Sequence, residues 1–124
     1  MTAWGRVTLI GAVAIILFDA LVAFVSVATG ISYAWGSLGS IFLYALVGYS
    51  AARTNPRSPL SAAARAGAFV GLADASGGWA ISWAIGPGVV QGLTAVVWIL
   101  TALFVVVLAT GIATLGAIPA RARR

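Results

Sequence analysis

Apolar positions dominate this chain in four long runs, at about residues 7–29, 32–52, 62–85 and 89–117. Polar residues gather mainly in the gaps between them. Each run reaches the roughly 20 residues that a helix needs to cross the hydrocarbon core of a bilayer. Turn chemistry marks the gaps: Gly30 closes the first run, Asn55-Pro56 and Ser58-Pro59 punctuate the second gap, and Gly86-Pro87-Gly88 forms the third. Proline cannot continue a helix, because it lacks the N–H and its ring clashes with the preceding turn. All three gaps are short, so successive helices should be antiparallel neighbours. The pattern predicts one all-α transmembrane domain over residues 1–124, an integral membrane four-helix bundle running up-down-up-down. The third run is the least apolar and holds Asp74, Ser76, Ser82 and several glycines.

Composition strengthens the membrane reading. Of 124 residues, 62% are hydrophobic and only 7% charged, and the mean hydropathy is +1.10. A soluble domain carries roughly 25% charged residues, so too few are present here to cover a water-facing surface. The first run begins after Arg6 in the manner of a signal peptide, but it exceeds the usual 7–15 apolar residues and contains Asp19. It is expected to be a retained first helix.

Charge placement sets the expected orientation. All basic residues are arginines: Arg6 at the N-terminus, Arg53, Arg57 and Arg65 around the middle gap, and Arg121, Arg123 and Arg124 in the tail. With four spans, every one falls on the same side. The positive-inside rule then predicts both termini in the cytoplasm, with a multi-pass protein in the cell inner (plasma) membrane and the arginines against lipid headgroups. Trp4 would mark the inner interface, and Tyr33, Trp35, Trp79 and Trp83 the outer one. The net charge of +5 and pI near 11.3 do not predict nucleic-acid binding, since no basic face interleaved with aromatics exists. The abundance of Ala, Gly, Val and Arg, without Lys, suggests a bacterial genome rich in G and C.

The candidate chemistry is confined to two acids. Asp19 and Asp74 lie near the middles of the first and third runs, which would run in the same direction and bring the carboxyls to similar depth. An Asp at a membrane helix centre costs about 2.5–3.5 kcal/mol on insertion scales, and such residues face the bundle interior or a water cavity. Arg65 is too far along the helix and on the opposite face to neutralise Asp74. If the carboxyls approach, they share a proton and titrate as a pair. Tyr44 and Thr101 fall at the same depth in the second and fourth runs, and the four could form one polar layer.

Small residues indicate which faces pack. Gly67, Gly71, Asp74, Gly78 and Ser82 follow a 4-3-4-4 spacing, one helical stripe. Gly36, Ser40, Tyr44 and Gly48 make a second stripe, and Asp19, Ala23, Ser26 and Gly30 a third. Such seams let backbones approach, so each Asp is expected against protein rather than lipid. A shift of 55 residues superposes Asp19 on Asp74, Leu17 on Leu72 and Ala20 on Ala75, a faint sign of two related helical hairpins.

Several chemistries are excluded. Without Cys or His there is no thiolate nucleophile, disulfide, imidazole base or usual metal-ligand set; no cofactor and no metal are expected. No phosphate loop or nucleotide fingerprint is present, and no Ser–His or Cys–His arrangement. Small multidrug transporters share the size and an acid in the first helix, but use Glu, which this chain lacks. The Asn- and Phe-bearing motifs of fluoride channels are missing. Phe18-Asp19 and Gly71-Leu72-Ala73-Asp74 depart from the YD and GxGD motifs of intramembrane aspartyl proteases at the residue before Asp. The chain is therefore expected not to be an enzyme. The leading expectation is an interaction or accessory subunit, a homo-oligomer or a part of a larger membrane complex. The alternative is a proton- or monovalent-cation-conducting channel or transporter using Asp19 and Asp74, and a holin comes third.

Overall fold

The computed structural model describes residues 1–87 and 92–122. All regular elements among them are helical. Helix α1 (Ala3–Thr29) is capped by Thr2, whose hydroxyl accepts the Gly5 N–H at 3.0 Å. It stops at Gly30, which adopts φ 73° and donates its N–H to Ser26 O. That left-handed conformation is readily open only to glycine. Ser32 then caps a 3₁₀ turn, Tyr33–Trp35, which leads into α2 (Gly36–Thr54). Pro59 opens α3 (Pro59–Ala73) from the first turn, where a missing N–H costs nothing. A π-helical turn, Asp74–Gly78, joins α3 to α4 (Trp79–Ile85). Thr94 caps α5 (Ala95–Gly116) through the Val97 N–H, and α6 (Ile118–Ala122) follows directly.

The elements thus form four rods, with α3, the π turn and α4 making the third and α5 with α6 the fourth. Several boundaries differ from those read off the hydropathy: the first helix begins at Ala3 rather than near residue 7, the third at Pro59 rather than near residue 62, and the last ends at Ala122 rather than near residue 117. The second helix begins at Gly36 rather than near residue 32, because Gly30 and the 3₁₀ turn take up the intervening chain. The fourth begins at Ala95, where Thr94 supplies the cap. Gly88 and Val89, at the expected start of that run, lie outside the described residues, as do Arg123 and Arg124.

Residue pairs across the interfaces fix the directions. Gly11 sits opposite Val47 and Gly36 opposite Val22, so α1 and α2 run antiparallel. Gly48 meets Ala113 and Gly116 meets Ala45, giving the same relation between α2 and α5. Gly67 faces Ala113 and Gly71 faces Ala109, which sets α5 antiparallel to α3. Gly11 faces Val70 while Gly78 faces Asp19, so α1 and the third rod are parallel. Among the described residues α1 and α5 do not touch. The cross-section is a rhombus, with α2 and the third rod on the short diagonal.

The core is thin. One cluster centres on Ile15, Tyr44, Val47, Ala51, Ala66, Val70 and Ala109, and a second holds Ala52, Ala63, Ala117 and Ala120. The bulky side chains point outward: Leu17, Leu21 and Phe24 of α1, and Ile99, Leu103, Phe104 and Val107 of α5, are all exposed. Two helices, Ala3–Thr29 and Ala95–Ala122, are long and apolar enough to cross a membrane.

Close backbone approach, rather than large buried side chains, joins α5 to the short diagonal. A Cβ at Gly48 would strike the Ala113 carbonyl, which is backbone and cannot swing aside. Gly48→Val should therefore lower stability by about 1–3 kcal/mol, the range for overpacking. Gly111, with nothing within 4 Å of a built Cβ, is the control; Gly111→Ala should leave the thermal midpoint in detergent unchanged or slightly raised.

Candidate functional site

Three rods converge on one polar centre. Asp19 is the fourth buried step along the inner face of α1, after Thr8, Gly11 and Ile15 and before Ala23. Tyr44 projects from the middle of α2, and its hydroxyl donates to Asp74 Oδ2. Asp74 begins the π turn. All three are nearly sealed from outside, at 5%, 2% and 6% exposure for Asp19, Tyr44 and Asp74. The Asp19 carboxyl lies against the Asp74 carboxyl and the Tyr33 hydroxyl, and Tyr33 also reaches Ser82.

The π turn explains how Asp74 gets there. The Trp79 N–H is donated to Asp74 O five residues earlier. The Ser76 hydroxyl donates to Leu72 O at 2.6 Å, taking up a carbonyl that an α-helix would give to a backbone N–H. Widening the turn re-aims the residues that follow. Gly78 completes the arrangement. A Cβ there would fall 3.0 Å from Asp19 Cγ and 3.1 Å from Asp74 Oδ1, and would collide with Asp19 Oδ2. The two carboxyls bracket this glycine, and only a residue without a side chain fits between them.

One atom lacks a partner. Asp19 Oδ2 is buried and accepts no hydrogen bond within the protein. That oxygen faces Gly78, while Asp19 as a residue borders a half-open cavity of about 260 Å³ lined by Asp19, Tyr33, Gly36, Ser37, Ser40, Ile41, Tyr44, Asp74, Trp79, Thr101, Phe104, Val105 and Leu108. Among the described residues no arginine compensates the charge: Arg6, Arg53, Arg57, Arg65 and Arg121 are all exposed, whereas both acids are buried. Arg65 donates Nε to Ser61 O and lies 5.8 Å from the Trp4 ring, and Arg53 donates to the Tyr49 hydroxyl. Trp4 donates its indole N–H to Ala62 O at 2.9 Å. Arg121 and residues Pro56 to Ser61 border one shallow depression, so this end of the bundle gathers the middle turn and the C-terminal segment.

The other residues singled out from sequence are placed as follows. Thr101 lines the cavity, but its hydroxyl turns back to Val97 O, so it borders the polar layer without joining the carboxyls. Gly67, Gly71, Gly78 and Ser82 are buried on one face of the third rod. The stripe on α2 divides: Gly36 meets Val22 of α1, Ser40 lines the cavity, and Gly48 meets α5. Residues four apart drift by about 40° around an α-helix, so a stripe of four spans two neighbours.

Some of the surroundings were not legible beforehand. Trp98 joins Trp79 and Trp83 in a cluster with ring centroids 4.8–6.4 Å apart. The three lie at the adjoining ends of the third and fourth runs, which was the only available sign. Phe104 shows nothing in sequence to set it apart from its apolar neighbours. The π turn had one signal, a Ser followed by two glycines in a helical run.

No protein-family model, curated protein or solved structure matches this chain. The functional reading therefore rests on the site alone.

Proposed function

We propose that this chain is a four-span bundle of the bacterial inner membrane, with both termini in the cytoplasm, and that its Asp19–Asp74 centre binds and releases a proton on a path for proton or monovalent-cation movement. The observation that carries the reading is the buried Asp19–Asp74 pair, with Asp19 Oδ2 unpartnered and both residues lining a half-open cavity. Two carboxyls in contact, without a cation, repel strongly unless a proton lies between them. A protonated carboxyl donates to its neighbour, and the Tyr44 hydroxyl holds the other side of Asp74. Such a pair passes between one and two negative charges by losing a single proton. Water or an ion in the half-open cavity gives that proton a route. In this reading the pair exchanges a proton and no bond of a substrate is made or broken.

The membrane part rests on the outward-facing bulky residues and on the arginines. Leu, Ile, Val and Phe cover α1 and α5, which suits lipid and would be costly in water. The arginine-bearing end would face the cytoplasm. Because the chain has no native cysteine, single cysteines report sidedness cleanly. In intact cells an impermeant maleimide should label Ser32→Cys and leave Ser58→Cys unlabelled until the membrane is broken; the reverse pattern would invert the bundle.

A second reading, an accessory subunit in an oligomer or larger complex, is favoured by α5, where Ala109 and Ala113 are the buried residues and the exposed face with Ile99, Leu103, Phe104 and Val107 could meet lipid or a partner helix. Flux separates the two. Proteoliposomes carrying a pH-sensitive dye and an imposed potential should acidify or alkalinise with the wild type. Asp74→Asn and Asp19→Asn should fall to the background of empty liposomes, because an amide hydrogen-bonds but does not titrate near neutral pH. Equal flux in wild type and both variants, or none in any of them when folded, would retire the proton path in favour of the accessory role.

A further inference from the structure

We infer that the cavity between α2 and α5 is a binding site for a small organic cation, an amine or quaternary ammonium with an apolar body, which exchanges there with the proton of the Asp19–Asp74 pair. This rests on the proposed proton-binding reading and names the ligand class that reading would serve.

Three observations lead to this class. First, both acids line the cavity and are 5% and 6% exposed, and the pair is incompletely satisfied within the protein, since Asp19 Oδ2 is buried without a partner. A carboxylate oxygen in that position accepts a hydrogen bond or faces a cation. Second, the walls set aromatic and aliphatic surface beside the two carboxyls and the hydroxyls of Tyr33, Ser37, Ser40, Tyr44 and Thr101. Trp79, Tyr33 and Phe104 contribute rings, and Ile41 and Leu108 contribute alkyl surface. Ring faces attract organic cations through their quadrupole, and most strongly where water is excluded. A hard inorganic cation instead prefers a shell of several oxygens; the hydroxyls of Ser40 and Thr101 donate to the Gly36 and Val97 carbonyls but keep their lone pairs, so sodium and potassium enter the test as competitors. Third, size and access fit. About 260 Å³ is several times the ~30 Å³ share of one water molecule and lies just below the usual range for drug-sized ligands. The mouth is bordered by the exposed lining residues Ser37, Ile41, Thr101, Phe104 and Leu108. In the proposed membrane setting that mouth opens sideways to lipid, the phase in which a cation with an apolar body concentrates.

The exchange balances. Without ligand, the pair holds one proton and carries a net charge of −1. A cation arriving with charge +1 displaces that proton to water, leaving two carboxylates and one cation, again a net −1. The groups facing Asp19 are Tyr33 from the 3₁₀ turn, Tyr44 from α2 and Asp74 from the π turn, and α5 contributes the uncharged Thr101. The Asp pair is therefore the source of the released proton.

The test uses the full chain in lipid nanodiscs, titrated with tetramethylammonium and with benzyltrimethylammonium. Tryptophan fluorescence reads binding, and a pH dye in weak buffer reads protons. Both cations should bind saturably, the benzyl compound more tightly, with up to one proton released per cation. Trp79→Leu should weaken binding roughly tenfold while keeping the proton release, and Asp19→Asn should abolish both, with helicity and elution volume unchanged. Sodium and potassium at equal concentration should neither compete nor release protons. Absence of binding by either organic cation, in protein that still supports Asp-dependent proton flux, overturns this inference and leaves the proton path standing. Binding that is unaffected by Asp19→Asn, or that sodium displaces, overturns it as well. Absence of both binding and flux removes the proton path together with it.

Discussion

Two carboxyl groups without a cation, closed inside an apolar bundle, are the constraint around which the rest of this structure is arranged. Burying even one ionised carboxylate is costly, and burying two side by side is prohibitive unless a proton or a positive ligand is shared between them. The fold nonetheless brings Asp19 and Asp74 together from two different rods, and spends specific residues to do so. Gly78 leaves the space that the Asp19 carboxylate enters. Tyr44 donates to Asp74 from α2. The π turn, with Ser76 bonding back to Leu72 O, gives up regular α-helical geometry at this point. A helix that only needed to pack would have no reason to place an acid, a wide turn and a side-chain-free gap at the same level.

The packing follows from the same economy of side chains. Glycine and alanine let α2, α3 and α5 approach until backbone meets backbone, so the bundle holds little bulky apolar core and presents its leucines, valines and phenylalanines outward. In water that distribution would forfeit most of the hydrophobic driving force. Between lipids it is what close-packed helices do, since association there depends on contact between backbones and small side chains. The rhombic cross-section adds a consequence. Because α1 and α5 do not meet among the described residues, α5 reaches the carboxyl centre from the side of the π turn, and a cavity remains between its Thr101–Leu108 stretch and the Gly36–Tyr44 stretch of α2.

Much of this could be read from the sequence, and the reasons are physical. Helix number and the breaks at Gly30, Pro59 and Gly86 follow from residues with few conformational options. The depth of Asp19, Tyr44 and Asp74 follows from counting residues along helices of fixed rise. Burial of Gly67, Gly71, Asp74, Gly78 and Ser82 on one face followed from spacing. What spacing does not contain is which neighbour a face meets. The α2 stripe was divided between α1 and α5 because four-residue steps drift, and the absence of an α1–α5 contact depends on packing that lies beyond any single helix. Thr101 shows the limit clearly: its depth was right, yet its hydroxyl satisfies itself on its own helix. The π turn and the Trp79–Trp83–Trp98 cluster arise from tertiary contact and local bonding that periodicity does not encode.

The central claim is that the two acids share one proton at neutral pH, and infrared difference spectroscopy tests it directly. Spectra of the protein in lipid would be taken across a pH titration, with Asp19→Asn and Asp74→Asn as assignments. The account predicts a protonated-carboxyl stretching band at neutral pH that is shifted in deuterium oxide and removed or displaced by either substitution. A spectrum with only ionised carboxylate bands at neutral pH would contradict it.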